Sequence, residues 1–178
     1  MMALSVIIFS ACQSKREDSS EVAKEANDAA INDRDEKKDA DFIVNAVAGN
    51  FAEIKLAQLA LRKSSSASVK DMATLLEKDH AKVLNELQGY ASKRGIVVPD
   101  RETSDATKDF DALAKKEGNE FDNSWCSMLK DKHANSISLF ETRMDRTEDV
   151  ELKNWISTTL PALKHHFTML EDHKTSMK

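Results

Sequence analysis

Glycine and proline are scarce in this chain, which has only 4 Gly and 2 Pro among 178 residues. A β-rich domain of this length needs many tight turns, and turns depend on these two residue types. Their scarcity therefore argues against a fold built on sheets. Alanine, leucine, lysine and glutamate are plentiful instead, and all four have high helix propensity. The composition predicts an all-α protein.

The chain also lacks an excess of positive charge. It has 26 Lys and Arg against 31 Asp and Glu, a formal net charge of -5, and the two signs are interspersed throughout. Because a nucleic-acid-binding domain needs a basic face, we exclude nucleic acid as a partner. No run approaches the roughly 18 apolar residues of a membrane-spanning helix. Gly-rich phosphate loops, Gly-x-Ser-x-Gly and Cys-x-x-Cys motifs are missing as well.

The first residues resemble the signal peptide of a bacterial lipoprotein. Residues 3–9 form a short apolar run, and Ser10, Ala11 and Cys12 follow it. A short apolar segment followed by small residues is typical of a secretory signal, and the cysteine at its end resembles a lipobox. We therefore predict a signal peptide over residues 1–11 and a lipid on Cys12. The lipid would attach the protein to the outer membrane of the cell envelope, on its periplasmic or its outer surface. We then expect no intramolecular disulfide between Cys12 and Cys126.

Residues 12–39 are almost wholly polar. A segment with so little apolar surface cannot compensate for the entropy lost on folding. We predict a disordered tether over these residues, with the folded domain confined to residues 40–178.

From residue 40 onward, apolar residues recur at steps of three and four, the spacing of an amphipathic helix. Ser68 with Asp71 resembles a capping box, and Thr147 is expected to cap the last helix. Gly95 and Pro99 mark the end of the second long helix. The pattern predicts four long helices and one short helix, over about residues 41–63, 68–94, 104–117 (the short one), 119–146 and 148–172.

The short connections after the first and third long helices predict two antiparallel helical hairpins. The segment that joins these hairpins is longer and contains the short helix. A four-helix bundle with one long connection is typical of ferritin-like folds. We therefore predict a ferritin-like four-helix bundle with an extra short helix between its second and third long helices.

An ordered set of residues along these helices resembles a known family. Its parts are Phe51-Ala52-Glu53-Ile54, Asp79-His80, Gly95-Ile96 before Pro99, Phe121-Asp122 with Trp125, Asp131-Lys132-His133, and Thr159-Leu160-Pro161 with His166. The set looks like the bacterial ferritin-like family catalogued as domain of unknown function 4142, over about residues 40–172. The resemblance implies a helical bundle in an exported protein and implies no established activity.

Each long helix has one titratable residue on its apolar face. These residues are Glu53, His80, His133 and His166. Burying such groups is costly unless they are paired or bind a ligand. Three of them are expected near mid-length of their helices. His166 is expected further along its helix, about 19 residues after Thr147 against about 14 before it for His133, unless Pro161 shifts it.

Three imidazoles and a carboxylate suit zinc, copper, nickel or ferrous iron. Asp79 and Asp131, close to two of the histidines, are candidates to orient the ligands. The competing interpretation is a buried hydrogen-bond network, with hydroxyls such as that of Thr159 as partners. A ferritin-type di-iron site fits less well, because only Glu77 stands three residues before one of these histidines.

Two functions are therefore open. The first is a non-enzymatic envelope lipoprotein that binds an unidentified ligand or responds to stress. The second is a metal-binding protein or metal-dependent oxidoreductase that uses the Glu/His cluster with a transition metal such as zinc, copper or iron. The sequence identifies no protein partner.

Overall fold

The computed structural model describes the backbone of residues 17–176 and the side chains of residues 17–173, and every regular element in that part of the chain is a helix. The predicted all-α class is confirmed there. None of these helices is long and apolar enough to cross a membrane. The helices are α1 (Ser19–Ala30), α2 (Arg34–Lys63), α3 (Ala67–Arg94), α4 (Ser104–Ala114), α5 (Gly118–Arg146) and α6 (Val150–Ser176).

Side-chain caps determine where several helices begin. The carboxylate of Asp33 accepts hydrogen bonds from the first backbone N–H groups of α2, and the hydroxyl of Thr103 does so for α4. Two predicted caps are wrong. Ser66 rather than Ser68 caps α3. At the start of α6, the carboxylate of Asp149 accepts from the N–H of Leu152, while Thr147 ends the preceding helix.

Two hydrophobic clusters show how the four long helices run relative to one another. One cluster joins the N-terminal parts of α2 and α6 to the C-terminal parts of α3 and α5, and includes Phe42, Leu87, Phe140 and Ile156. The other cluster joins the opposite parts, and includes Leu56, Leu76, Trp125 and Leu170. Helices α2 and α6 are therefore each antiparallel to α3 and α5.

The same clusters show the course of the connection between the two hairpins. Helix α3 ends beside the first cluster, whereas α5 begins beside the second. Residues 95–117, which contain α4, consequently run along the length of the bundle. Leu113 of α4 is buried in the second cluster.

The segment predicted to be a disordered tether is mostly helical where the structure describes it, over residues 19–30 and from residue 34 onward. Helix α1 packs on α2, and α2 begins at Arg34 rather than near residue 41. Asn27 fastens α1 to the long connection, because its amide donates to the carbonyl of Val97 at 2.9 Å and accepts from the N–H of Val97 at 2.8 Å. The prediction failed because α1 docks through small and polar residues, which an apolar pattern does not reveal. The predicted lipid site, Cys12, and the signal peptide lie outside the described residues.

A layer of polar side chains separates the two hydrophobic clusters. In each long helix the predicted titratable residue lies between residues of one cluster and residues of the other. Hydrophobic residues of both clusters border that layer, so any charge or unsatisfied nitrogen within it depends on its immediate neighbours.

Candidate metal centre

The four predicted site residues meet in this central layer and are almost inaccessible to solvent. The exposed fraction is 4% for Glu53, 3% for His80, 0% for His133 and 1% for His166. Each comes from a different long helix, as the apolar periodicity predicted. Side chains as polar as these are seldom buried so completely without a partner that satisfies them.

The difference in level between His166 and His133 along the bundle is smaller than the sequence predicted. Helix α6 begins at Val150 and remains helical through Pro161. His166 lies 16 residues after the start of α6, and His133 lies 13 residues before the end of α5 at Arg146. The later start of α6 brings the two histidines to nearly the same level.

The three imidazole rings approach one another through one nitrogen each. Nε2 of His80 is 3.3 Å from Nε2 of His133, and that nitrogen is 3.3 Å from Nδ1 of His166. All three nitrogens lie within 4.8 Å of one another. The described residues therefore hold three potential ligand atoms around one point.

Glu53 lies at one side of this group. Its Oε2 atom is 2.9 Å from Nε2 of His80 and 3.4 Å from Nδ1 of His133. Yet this oxygen is fully buried and has no aligned hydrogen-bond donor among the described residues. It is a buried carboxylate oxygen that lacks a fitting partner.

The opposite nitrogen of each ring bonds to an acceptor outside the group. His80 Nδ1 donates to the side-chain oxygen of Asn50 at 2.9 Å. That oxygen is the acceptor because the Asn50 amide nitrogen donates to the Ala46 carbonyl at 2.7 Å. His133 Nδ1 donates to the carbonyl of Leu129 at 2.9 Å. An outer acceptor fixes which nitrogen of a neutral imidazole carries the proton.

The third ring has the strongest outer partner. His166 Nε2 donates to Oδ2 of Asp79 at 3.0 Å. Asp79 therefore has the orienting position proposed for it, whereas Asp131 is exposed on the surface of α5. Carboxylates, backbone carbonyls and side-chain amides in this position commonly orient histidines that bind metals.

These outer bonds leave three unprotonated nitrogens facing one another. A neutral imidazole has one N–H, and each ring already directs it outward. Both contacts of 3.3 Å then place a lone pair against a lone pair. Neutral histidines alone cannot satisfy this arrangement, whereas a cation, an additional proton or a donating water molecule at the centre would.

Burial disfavours the additional protons. Desolvation lowers the pKa of His133 and lowers the pKa of His166 to about 4, so both rings are neutral near pH 7. Burial by itself would raise the pKa of Glu53, but the positive charges that the surrounding imidazoles carry when they are protonated, His80 first among them, lower that pKa to about 2. Neutral His133 and His166 are in the protonation state in which imidazole binds a metal, and a cation bound beside them would keep the carboxylate of Glu53 ionised.

The alternatives raised from the sequence are less consistent with this geometry. Thr159 donates to the carbonyl of Trp155 in its own helix rather than to a histidine. Glu77, the carboxylate required for a di-iron motif, accepts from Gln58 at 2.8 Å. Asn50, the hydrogen-bond acceptor of His80, was not predicted from the sequence. It could have been recognised as a polar residue one turn before Glu53 on the same buried face of α2.

Comparison with known proteins shows the family to which the chain belongs. A model described as domain of unknown function (DUF4142) matches residues 20–172, which is most of the chain and begins within α1. No curated protein and no solved structure matches. The match confirms the resemblance to domain of unknown function 4142, and extends it over residues 20–39, where the sequence predicted a tether. The chain belongs to the family catalogued as domain of unknown function 4142.

Proposed function

We propose that this protein binds one transition-metal ion in the centre of its bundle. The ligands are Nε2 of His80, Nε2 of His133 and Nδ1 of His166, and Glu53 supplies a fourth ligand oxygen. The observation that carries this proposal is that three unprotonated ring nitrogens face one another. A cation placed between them would accept the lone pairs of all three.

The spacing of the ligand atoms suits zinc. Zinc binds imidazole nitrogen at about 2.0–2.1 Å in tetrahedral geometry, which separates neighbouring ligand atoms by about 3.3 Å. Two of the nitrogen contacts are 3.3 Å, and Glu53 Oε2 is 2.9 Å from the His80 nitrogen. Imidazole ligands also suit copper, nickel and iron, so the two nitrogen spacings of 3.3 Å are what favour zinc.

The charge of the site also suits a divalent ion. Glu53 contributes one negative charge at the centre, and the carboxylate of Asp79 contributes a second through its bond to His166. A divalent ion balances both. A site of four protein ligands with little solvent access is typical of structural or storage metals rather than catalysis. We therefore favour a non-enzymatic role.

The fold and the location belong to the same proposal. Two antiparallel hairpins joined by a connection that runs along the bundle are typical of ferritin-like proteins, and we propose that fold for residues 19–176. The signal-like residues before Cys12 support an exported lipoprotein of the bacterial envelope. A metal-binding domain held at the envelope would take part in metal storage or in protection against metal stress.

Zinc titration tests the metal site. Full-length protein purified without a histidine tag and stripped with a chelator should bind one zinc ion per chain at pH 7.5. Its melting temperature should rise with zinc, because only the folded state brings the ligands together. The chelator should reverse the rise, and acidification should weaken binding as the imidazoles become protonated. Unchanged melting temperatures with zinc, copper and ferrous iron would contradict the proposal.

Cys12→Ala tests the location. The variant should lose labelling by radioactive or alkyne-bearing fatty acid and leave the membrane fraction, because the lipid on Cys12 is the proposed anchor. Cys126→Ala is the matched control and should remain labelled. If Cys12→Ala stays in the membrane as fully as the unsubstituted protein, the proposed lipid anchor is wrong.

A further inference from the structure

Gly49 lies in the interior of α2, where glycine is destabilising relative to alanine. Close packing does not require it. A Cβ atom built at Gly49 meets no heavy atom within 4 Å, and the residue has ordinary helical backbone. The absent side chain therefore leaves a space that another residue would fill.

Two cavities adjoin this space. The outer one is a cleft of about 240 Å³ between α2, α5 and the start of α4, and residues such as Thr103, Lys132 and Asn135 form part of its wall. The inner one has a volume of about 30 Å³ and reaches Asn50 and His80 of the central layer. A cavity of that size holds about one or two water molecules.

The same four residues contribute to both cavities: Asn45, Gly49, Glu53 and Ser136. The two cavities are therefore neighbours that share part of their walls. Glu53 is one of the residues that line both cavities, and its buried Oε2 atom lacks an aligned donor among the described residues. The positive charge of Lys132 in the cleft is balanced by Asp109, because Oδ2 of that carboxylate is 2.9 Å from Nζ of the lysine.

We propose that the gap at Gly49 is the passage through which a metal ion enters and leaves the bundle centre. This inference rests on the proposed metal site and adds the route by which the ion reaches it. The ion moves from the outer cleft to the carboxylate of Glu53 and from there onto the three imidazole nitrogens. Because Gly49 has no side chain, the space between the inner cavity and the cleft stays unfilled at this position.

The passage has a kinetic signature. A side chain that blocks it raises the barrier for entry and exit alike but leaves the bound state unchanged. The rate constants of uptake and release then fall by the same factor, and their ratio, the dissociation constant, is preserved. A substitution that distorts the ligands changes the dissociation constant instead.

The test uses zinc and the full-length protein without a histidine tag. Uptake by the stripped protein and release to excess chelator are followed with a zinc-sensitive dye for the unsubstituted chain, Gly49→Leu and Gly89→Leu. Gly89 is the matched control, because it is also a helical glycine with open space around it but lies on the exposed surface of α3. We expect Gly49→Leu to slow both steps at least tenfold with a dissociation constant changed less than threefold, and Gly89→Leu to match the unsubstituted chain.

Ser136→Leu fills the same space from α5 and replaces Gly49→Leu as the test if that variant does not fold. Rates equal to those of the unsubstituted chain in the folded variants, or slowing that is equally large in Gly89→Leu, would overturn the passage. A dissociation constant that changes as much as the rates would also overturn it. If the unsubstituted chain binds no zinc, the metal site itself fails, and that result is distinct from zinc binding with unaltered kinetics.

Discussion

His133→Ala should weaken zinc binding by about 100-fold or more and remove most of the stabilisation that zinc gives. His133 is the central ligand, since its Nε2 contacts the ligand nitrogens of both other histidines. Structural zinc sites contribute about 10–16 kcal/mol. A quarter of that, about 3 kcal/mol for one of four ligands, corresponds to roughly 100-fold in affinity. Zinc titration followed by calorimetry and by thermal unfolding measures both effects.

His165→Ala is the matched control for this prediction. His165 is exposed on α6, and its ring centroid is 6.3 Å from that of the buried His166. Its removal should leave zinc affinity unchanged. A hydrogen-bond network without metal predicts a different result, namely that His133→Ala costs about 1–3 kcal/mol whether or not zinc is present. Equal destabilisation with and without zinc would therefore reject the metal site.

Asp39→Ala should lower the free energy of unfolding by about 3–5 kcal/mol. Asp39 of α2 and Arg143 of α5 are both buried, and Oδ1 of the carboxylate is 2.8 Å from Nε of the guanidinium. The hydroxyl of Thr147 donates to the other carboxylate oxygen at 3.0 Å. Without Asp39 the buried guanidinium keeps its charge and loses its partner. The melting temperature should fall by about 6–20 °C.

Replacing both charged residues should cost far less. Burial raises the pKa of Asp39 despite the opposing effects of Thr147 and Arg143, so the pair does not fully compensate the carboxylate for its lost hydration. Asp39→Leu combined with Arg143→Met should therefore unfold near the temperature of the unsubstituted chain. Lys38→Ala, which breaks an exposed pair with Asp35, should change stability by less than about 0.5 kcal/mol. Similar losses for Asp39→Ala and Lys38→Ala would contradict this account of the pair.

The sequence predicted the long helices and the four central residues for the same reason. A helix of about eight turns repeats its apolar face many times, so a titratable residue on that face is conspicuous and its depth can be estimated from the nearest turn. The predicted level of His166 was wrong because Thr147 resembles the cap at the start of α6. The side chain that caps this helix is Asp149. A displacement of three residues at one helix end was enough to misplace the ligand by nearly a turn.

Other features left little trace in the sequence. Helix α1 docks through a narrow face that includes Ala23 and Asn27, and its strongest contacts are two hydrogen bonds to the backbone of Val97. The acceptor for His133 is the carbonyl of Leu129, and every residue has such a group. Contacts of this kind depend on tertiary geometry, and neither periodicity nor composition encodes them.

X-ray absorption at the zinc edge tests the central claim most directly, because it counts the atoms bound to the metal. Full-length protein purified without a histidine tag and loaded with one equivalent of zinc is the sample. Our account predicts four light-atom ligands at about 2.0–2.1 Å, with the outer-shell scattering of three imidazole rings and one oxygen from Glu53. A spectrum with fewer than three imidazoles, or with a shell dominated by water oxygens, would contradict it.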